Sequence, residues 1–171
     1  VGSEMCIRDK GLSWFRDTGY AQLIEEIDKT EGSKPIAVIF NLGVNDLGNA
    51  GNYVSYMTNI ASTLKSKNCK LFYMSVNPIN STMITKAGRG ARTEAQVREF
   101  NSKIRSGLSL DYKYIDMYSV LMKKGYGTNA SYNGTDADSD DGLHYTTKTF
   151  KRIYYYCITY LNTGSINASY Y

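Results

Sequence analysis

Residues 35–50 read Pro-Ile-Ala-Val-Ile-Phe-Asn-Leu-Gly-Val-Asn-Asp-Leu-Gly-Asn-Ala. The run Ile36–Phe40 is continuously apolar, the pattern of a strand covered on both faces in a parallel sheet. Pro35 stands at its entrance, where a missing amide is tolerated. Residues 41–48 are dense in Asn, Gly and Asp, which favour turns. Tyr53, Met57, Ile60, Ala61 and Leu64 then recur at helical spacing. Strand, turn and helix in this order open a strand–helix–strand unit.

The pattern repeats along the chain. A second strand is expected at Leu71–Val76, stopped by Asn77-Pro78, and a third at Tyr112–Asp116. Residues 79–92, with Gly88 and Gly90 flanking Arg89, read as a loop. Thr93-Glu-Ala-Gln96 fits a capping box, with Val97, Phe100, Ile104 and Leu108 on one helix face behind it. Residues 117–124 read as a short helix and 125–143 as a polar loop. A final helix from about Thr146 is expected to bury Phe150, Ile153, Tyr154, Cys157, Ile158 and Leu161. Tyr20, Leu23, Ile24 and Ile27 mark a first helix. This alternation predicts an α/β protein, a three-layer α/β/α sandwich around a parallel sheet. In such sheets the working residues collect on loops at the carboxyl ends of the strands.

Composition narrows the function classes. The 171 residues suit one domain with a real core. A net charge of +4 is spread along the chain without a basic patch, so no nucleic-acid partner is expected. No stretch approaches the ~20 apolar residues of a membrane span. The three cysteines, Cys6, Cys69 and Cys157, have neither disulfide-framework nor zinc-ligand spacing. Cys69 and Cys157 fall in apolar runs and read as small core residues. The sixteen tyrosines crowd toward the C-terminus, where they can line a sugar-binding surface or pack half-buried with the hydroxyl in water.

Three segments carry candidate chemistry. Asp141-Gly-Leu-His144 holds the only histidine, with a carboxylate three residues before it. An imidazole can accept a hydroxyl proton and return it to a leaving group. A carboxylate on its other nitrogen fixes the tautomer. Gly43-Val-Asn45-Asp46 follows the first strand, where the Asn amide can donate to a developing oxyanion. Gly11, in Lys10-Gly-Leu-Ser-Trp-Phe15, offers an amide that no side chain obstructs.

Together these segments resemble the SGNH hydrolase superfamily, also called GDSL esterases and lipases. That family has a flavodoxin-like α/β/α fold. Its first sequence block carries a nucleophilic Ser in Gly-Asp-Ser, its second a Gly, its third an Asn in Gly-x-Asn-Asp, and its fifth Asp-x-x-His. The resemblance implies that His144 is the base, Asp141 its orienter, and Asn45 and Gly11 the oxyanion donors. No Gly-Asp-Ser occurs in the chain. Only ten residues precede Gly11, too few at ~1.5 Å per helical residue for the family's strand, turn and helix. Ser3 lacks the Asp and lies too close to Gly11, Ser13 adjoins that glycine, and Gly164-Ser165 is out of order. Residues 1–9 match nothing in the family and read as a junction segment, leaving 10–171 as one domain that lacks its first strand and its nucleophile.

What the resemblance implies for function is ester hydrolysis through an acyl-enzyme, with no cofactor and no metal, and this chain alone inactive. The expected partner is a small-molecule or glycan ester bearing a small acyl group. A non-catalytic carbohydrate-binding or scaffold protein is the alternative on the same fold. A flavodoxin-like nucleotide or flavin binder lacks a Gly-rich phosphate loop after the first strand. The acidic run 136–142 misses the calcium-loop pattern: counting from Asp136, Gly142 is seventh and Thr147 twelfth, where an EF-hand needs Gly sixth and Glu twelfth.

Overall fold

The computed structural model describes residues 10–30, 32–126 and 141–166. Ser3, Cys6, the junction segment, most of the expected polar loop and most of the acidic run lie outside them. The described chain runs α1 (Leu12–Trp14), a π-helical turn (Phe15–Gly19), α2 (Tyr20–Lys29), β1 (Ile36–Phe40), α3 (Ala50–Ser66) and β2 (Cys69–Met74). It continues through α4 (Ser81–Lys86), α5 (Glu94–Gly107), β3 (Tyr112–Ile115), α6 (Met117–Lys123) and α7 (Thr147–Thr163).

The three strands are parallel in the order β1-β2-β3. Register sets Phe40 opposite Tyr73, and Met74 opposite Ile115. Side chains alternate across the central strand. Leu71 and Tyr73 join Val38, Phe40 and Tyr112 in a core shared with α3 and α5. Phe72 and Met74 join Ile115, Leu121, Ile153, Tyr156 and Cys157 in a second core, shared with α6 and α7. Helices therefore cover both faces, as the alternation predicts. Cys69 and Cys157 are buried free thiols, and burial pushes the Cys157 thiol up to about 11.

Local chemistry explains the element ends. Thr93 and Gln96 form the expected capping box on α5. The Thr146 hydroxyl accepts from the Thr149 amide and starts α7. The loop expected over 79–92 instead contains α4, because the Asn80 side chain accepts from the Met83 amide at 3.0 Å and nucleates a turn.

Two further expectations fail. The buried stripe of α7 is Thr149, Ile153, Tyr156 and Cys157, while Phe150, Tyr154 and Ile158 are 37%, 55% and 37% exposed. The helix carries apolar and aromatic residues almost all round, so periodicity alone does not select the buried face. The face that is buried packs with Phe72, Met74 and Ile115 of the sheet. Nor is β1 covered on both faces: Val38 and Phe40 are buried, but Ala37 is exposed and Ile39 only half-buried. Among the described residues β1 is an edge strand, and α7 rests over β2 and β3, where Tyr160 packs on Phe72 and donates to the Tyr114 carbonyl.

Candidate functional site

The Asp141–Thr146 loop is seated on the segment that leaves β2. The Asn80 amide donates to the Gly142 carbonyl at 2.8 Å. The Tyr145 hydroxyl donates to the Pro78 carbonyl. Gly142 is at φ +80°, and a Cβ there would fall 2.4 Å from the Asn80 carbonyl oxygen. A glycine is what allows so close an approach at that backbone angle.

Within this loop Asp141 folds back on its own chain. Its Oδ1 accepts the Leu143 amide at 3.0 Å and the His144 amide at 2.8 Å. Its Oδ2 meets His144 Nδ1 at 2.7 Å and Arg89 Nε at 3.3 Å. Burial pushes the Asp141 carboxyl up, but the His144 amide and imidazole and the Leu143 amide outweigh it and bring it down to about 2. A carboxylate ionised at neutral pH holds Nδ1 as the protonated nitrogen. Nε2 is left as the acceptor and makes no hydrogen bond among the described residues.

The second half of the site lies at the carboxyl end of β1. Gly43 to Asp46 is a turn closed by the Asp46 amide on the Gly43 carbonyl at 2.9 Å. Asn45 Nδ2 donates to the Lys10 carbonyl at 3.0 Å, placing Asn45 against the Gly11 segment. Asp46 completes that junction. Its Oδ2 accepts the Leu12 amide at 2.7 Å and the Tyr53 hydroxyl at 2.8 Å. Burial, reinforced by that bond, raises the Tyr53 phenol, so it remains a donor. Gly11 fits only because it has no Cβ, which would lie 2.2 Å from Asp46 Oδ2. Its own amide donates to no acceptor among the described residues.

The structure thus joins Asp141 to His144, and Asn45 to the Gly11 segment. No direct hydrogen bond links these two pairs among the described residues. The bridge is the 89–92 segment. Arg89 meets Asp141, while Arg92 bonds the Arg89 carbonyl, the Val44 carbonyl and Asn45 Oδ1. Neither arginine was singled out as a site residue from sequence, nor was Asp46 given a role. The flanking glycines around Arg89 and the position of Asp46 inside the motif were the available signals. Ser13 is exposed on α1, and no hydrogen bond ties it or Ser165 to His144. No group of three or more His, Cys, Asp or Glu side chains able to hold a metal ion occurs among the described residues.

Fold and site together define an α/β protein with an imidazole–carboxylate pair and an amide-rich turn at the carboxyl edge of a parallel sheet. No family model matches the chain, and no curated protein matches it. No helix among the described residues is long and apolar enough to cross a membrane.

Proposed function

We propose that the chain carries the base, the orienting carboxylate and the oxyanion donors of an SGNH-type serine ester hydrolase, which removes a small acyl group from a carbohydrate or similar polar ester. The observation that carries this reading is His144, with Nδ1 held at 2.7 Å by a carboxylate depressed to about 2 and Nε2 open for proton transfer. The serine is assigned to a strand outside the described residues that pairs with β1. The edge of β1 that is free among the described residues supports such a strand, and with it a flavodoxin-like sheet.

The reaction then follows ordinary acyl transfer. The serine oxygen attacks the ester carbonyl as its proton passes to His144 Nε2. Asp141 remains ionised and stabilises the imidazolium. The carbonyl oxygen, now an oxyanion, is met by the Asn45 amide and the Gly11 N–H. Collapse expels the alcohol, which takes the proton from Nε2. Water repeats the sequence on the acyl-serine, releasing the acid and restoring the hydroxyl. A groove of about 400 Å³ lies between α1 and α3, lined by Leu12, Asp46, Asn52, Tyr56 and Asn59 among others, and not by His144, Asn45 or Gly11. The same groove favours the second reading, a carbohydrate-binding protein without turnover.

One experiment separates these. Expressed with the gene's own upstream coding sequence, the protein should cleave p-nitrophenyl acetate faster than long-chain esters. His144→Ala should remove at least about 10³ of the rate. A gene with no upstream Gly-Asp-Ser, or an extended protein without turnover, refutes the hydrolase. Glycan binding by such an inert protein establishes the second reading. This chain alone should take no adduct from a fluorophosphonate probe. A His144-dependent adduct would place the nucleophile within these residues instead.

A further inference from the structure

We infer that Arg92 is a positioning residue that sets the orientation of the Asn45 amide, an inference that rests on the assignment of Asn45 as an oxyanion donor. An Asn side chain presents an acceptor and a donor group of nearly the same shape, and only its neighbours decide which faces the substrate. Arginine has donors alone. The Arg92 Nη2 bond at 3.1 Å therefore selects Oδ1 and turns the NH₂ group the other way, where one hydrogen reaches the Lys10 carbonyl at 3.0 Å. The second hydrogen is left for an oxyanion.

The grip is more than one contact. Nε donates to the Val44 carbonyl at 3.0 Å, so a single planar guanidinium holds both the backbone before Asn45 and its side chain. Nη1 donates to the Arg89 carbonyl, which ties the assembly to the residue that meets Asp141. Arg92 is half-buried, so water competes less for these bonds than at an open surface. A cation on Oδ1 also draws electron density from the amide and strengthens its N–H donors. A lysine cannot replace it, because one ammonium cannot span three acceptors held by a rigid fork.

The test has two arms. In this chain, the Asn45 side-chain amide pair in a ¹⁵N–¹H spectrum should move toward solvent-exposed asparagine values in Arg92→Ala and Arg92→Lys. It should stay in place in the surface control Arg105→Ala. In the extended protein both Arg92 variants should lower kcat by roughly 10- to 100-fold with KM unchanged, less than the ~10²–10³ lost with an oxyanion donor itself. Added guanidinium ion should restore part of the rate to Arg92→Ala and none to Asn45→Ala. Asn45 signals that do not move, or a raised KM with kcat intact, overturns the inference. If Arg92→Ala does not fold, Arg92→Lys decides. If the Asn45 signals move as expected but the extended protein cleaves no ester, the hydrolase reading fails and the hold of Arg92 on Asn45 stands.

Discussion

Gly142→Ala tests whether the His144 loop is seated as described. Gly142 lies at φ +80°, where an L side chain costs about 1–2 kcal/mol. The added Cβ would lie 2.4 Å from the Asn80 carbonyl oxygen, 2.8 Å from Met83 Cβ and 2.9 Å from the Ile84 amide nitrogen. Two of these are backbone atoms at the start of α4 and cannot rotate aside. Relief requires the loop to lift, which breaks the 2.8 Å bond from the Asn80 amide. Overpacking of this kind adds about 1–3 kcal/mol, and the broken bond about 1 more. The total is about 3–6 kcal/mol, capped by the free energy with which the loop docks. Gly88→Ala is the control. Its φ is +66° and nothing lies within 4 Å of its Cβ position, so only the backbone term of about 1–2 kcal/mol remains. Urea unfolding gives the two values, and the His144 Nδ1 proton resonance reports loop docking directly. If Gly142→Ala matches Gly88→Ala within about 0.5 kcal/mol and keeps that resonance, the loop does not sit on α4.

Two carboxylates give opposite pH signatures. Asp141 titrates near 2 against an ordinary 3.8, so its stabilisation is present above about pH 4 and lost as pH falls from 3.8 through 2. At 1.36 kcal/mol per unit this amounts to about 2 kcal/mol. The stability gap between the protein and Asp141→Asn should therefore shrink between pH 5 and pH 2, and a constant gap would argue against the shift. Glu94 is buried, and burial raises its carboxyl against the hydrogen bonds of Tyr118 and the Ile79 amide, which lower it. Its charged form is disfavoured in the fold, so it contributes stability as pH falls through its raised value and opposes folding above it. Glu94→Gln keeps an acceptor for the Ile79 amide, now at 3.2 Å on Oε2, and should raise the urea midpoint at pH 8. A loss of more than about 1 kcal/mol would show that the charge is needed.

The sheet was legible because its signals are local. Ile36–Phe40 stands where the pattern predicts a strand, and β2 runs Cys69–Met74, two residues earlier at each end than the expected Leu71–Val76. The α5 capping box and the pairing of Asp141 with His144 are likewise short-range chemistry, three residues apart in each case. What the pattern missed depends on contacts distant in sequence. The buried face of α7 meets Phe72, Met74 and Ile115, and Met74 is 83 residues from the Cys157 it touches. The half-exposure of β1 follows from its place at the sheet edge, which no window around β1 encodes. Asp46 looks like one more polar turn residue until the fold brings the Leu12 amide to it across 34 positions.

The segment from Asn80 to Arg92 is the clearest such case. From sequence it is a loop with two glycines and two arginines. In the fold it carries the only described connections between the two halves of the candidate site. Asn80 caps α4 with its side chain and holds Gly142 with its amide, so one residue both starts the helix and docks the His144 loop on it. Arg89 then reaches Asp141 and Arg92 reaches Asn45, with the Arg92-to-Arg89 carbonyl bond between them. The loop that carries His144 and the side chain of Asn45 are thereby both tied to the segment that contains α4. Their separation depends on how firmly that short helix is held. α4 has six residues, too few to be stable alone. It is held by the Asn80 cap and by Ile84, which is fully buried in the core around α3 and α5. The relative placement of His144 and Asn45 thus depends on the Asn80 cap and on the packing of Ile84, in a helix that the sequence does not announce.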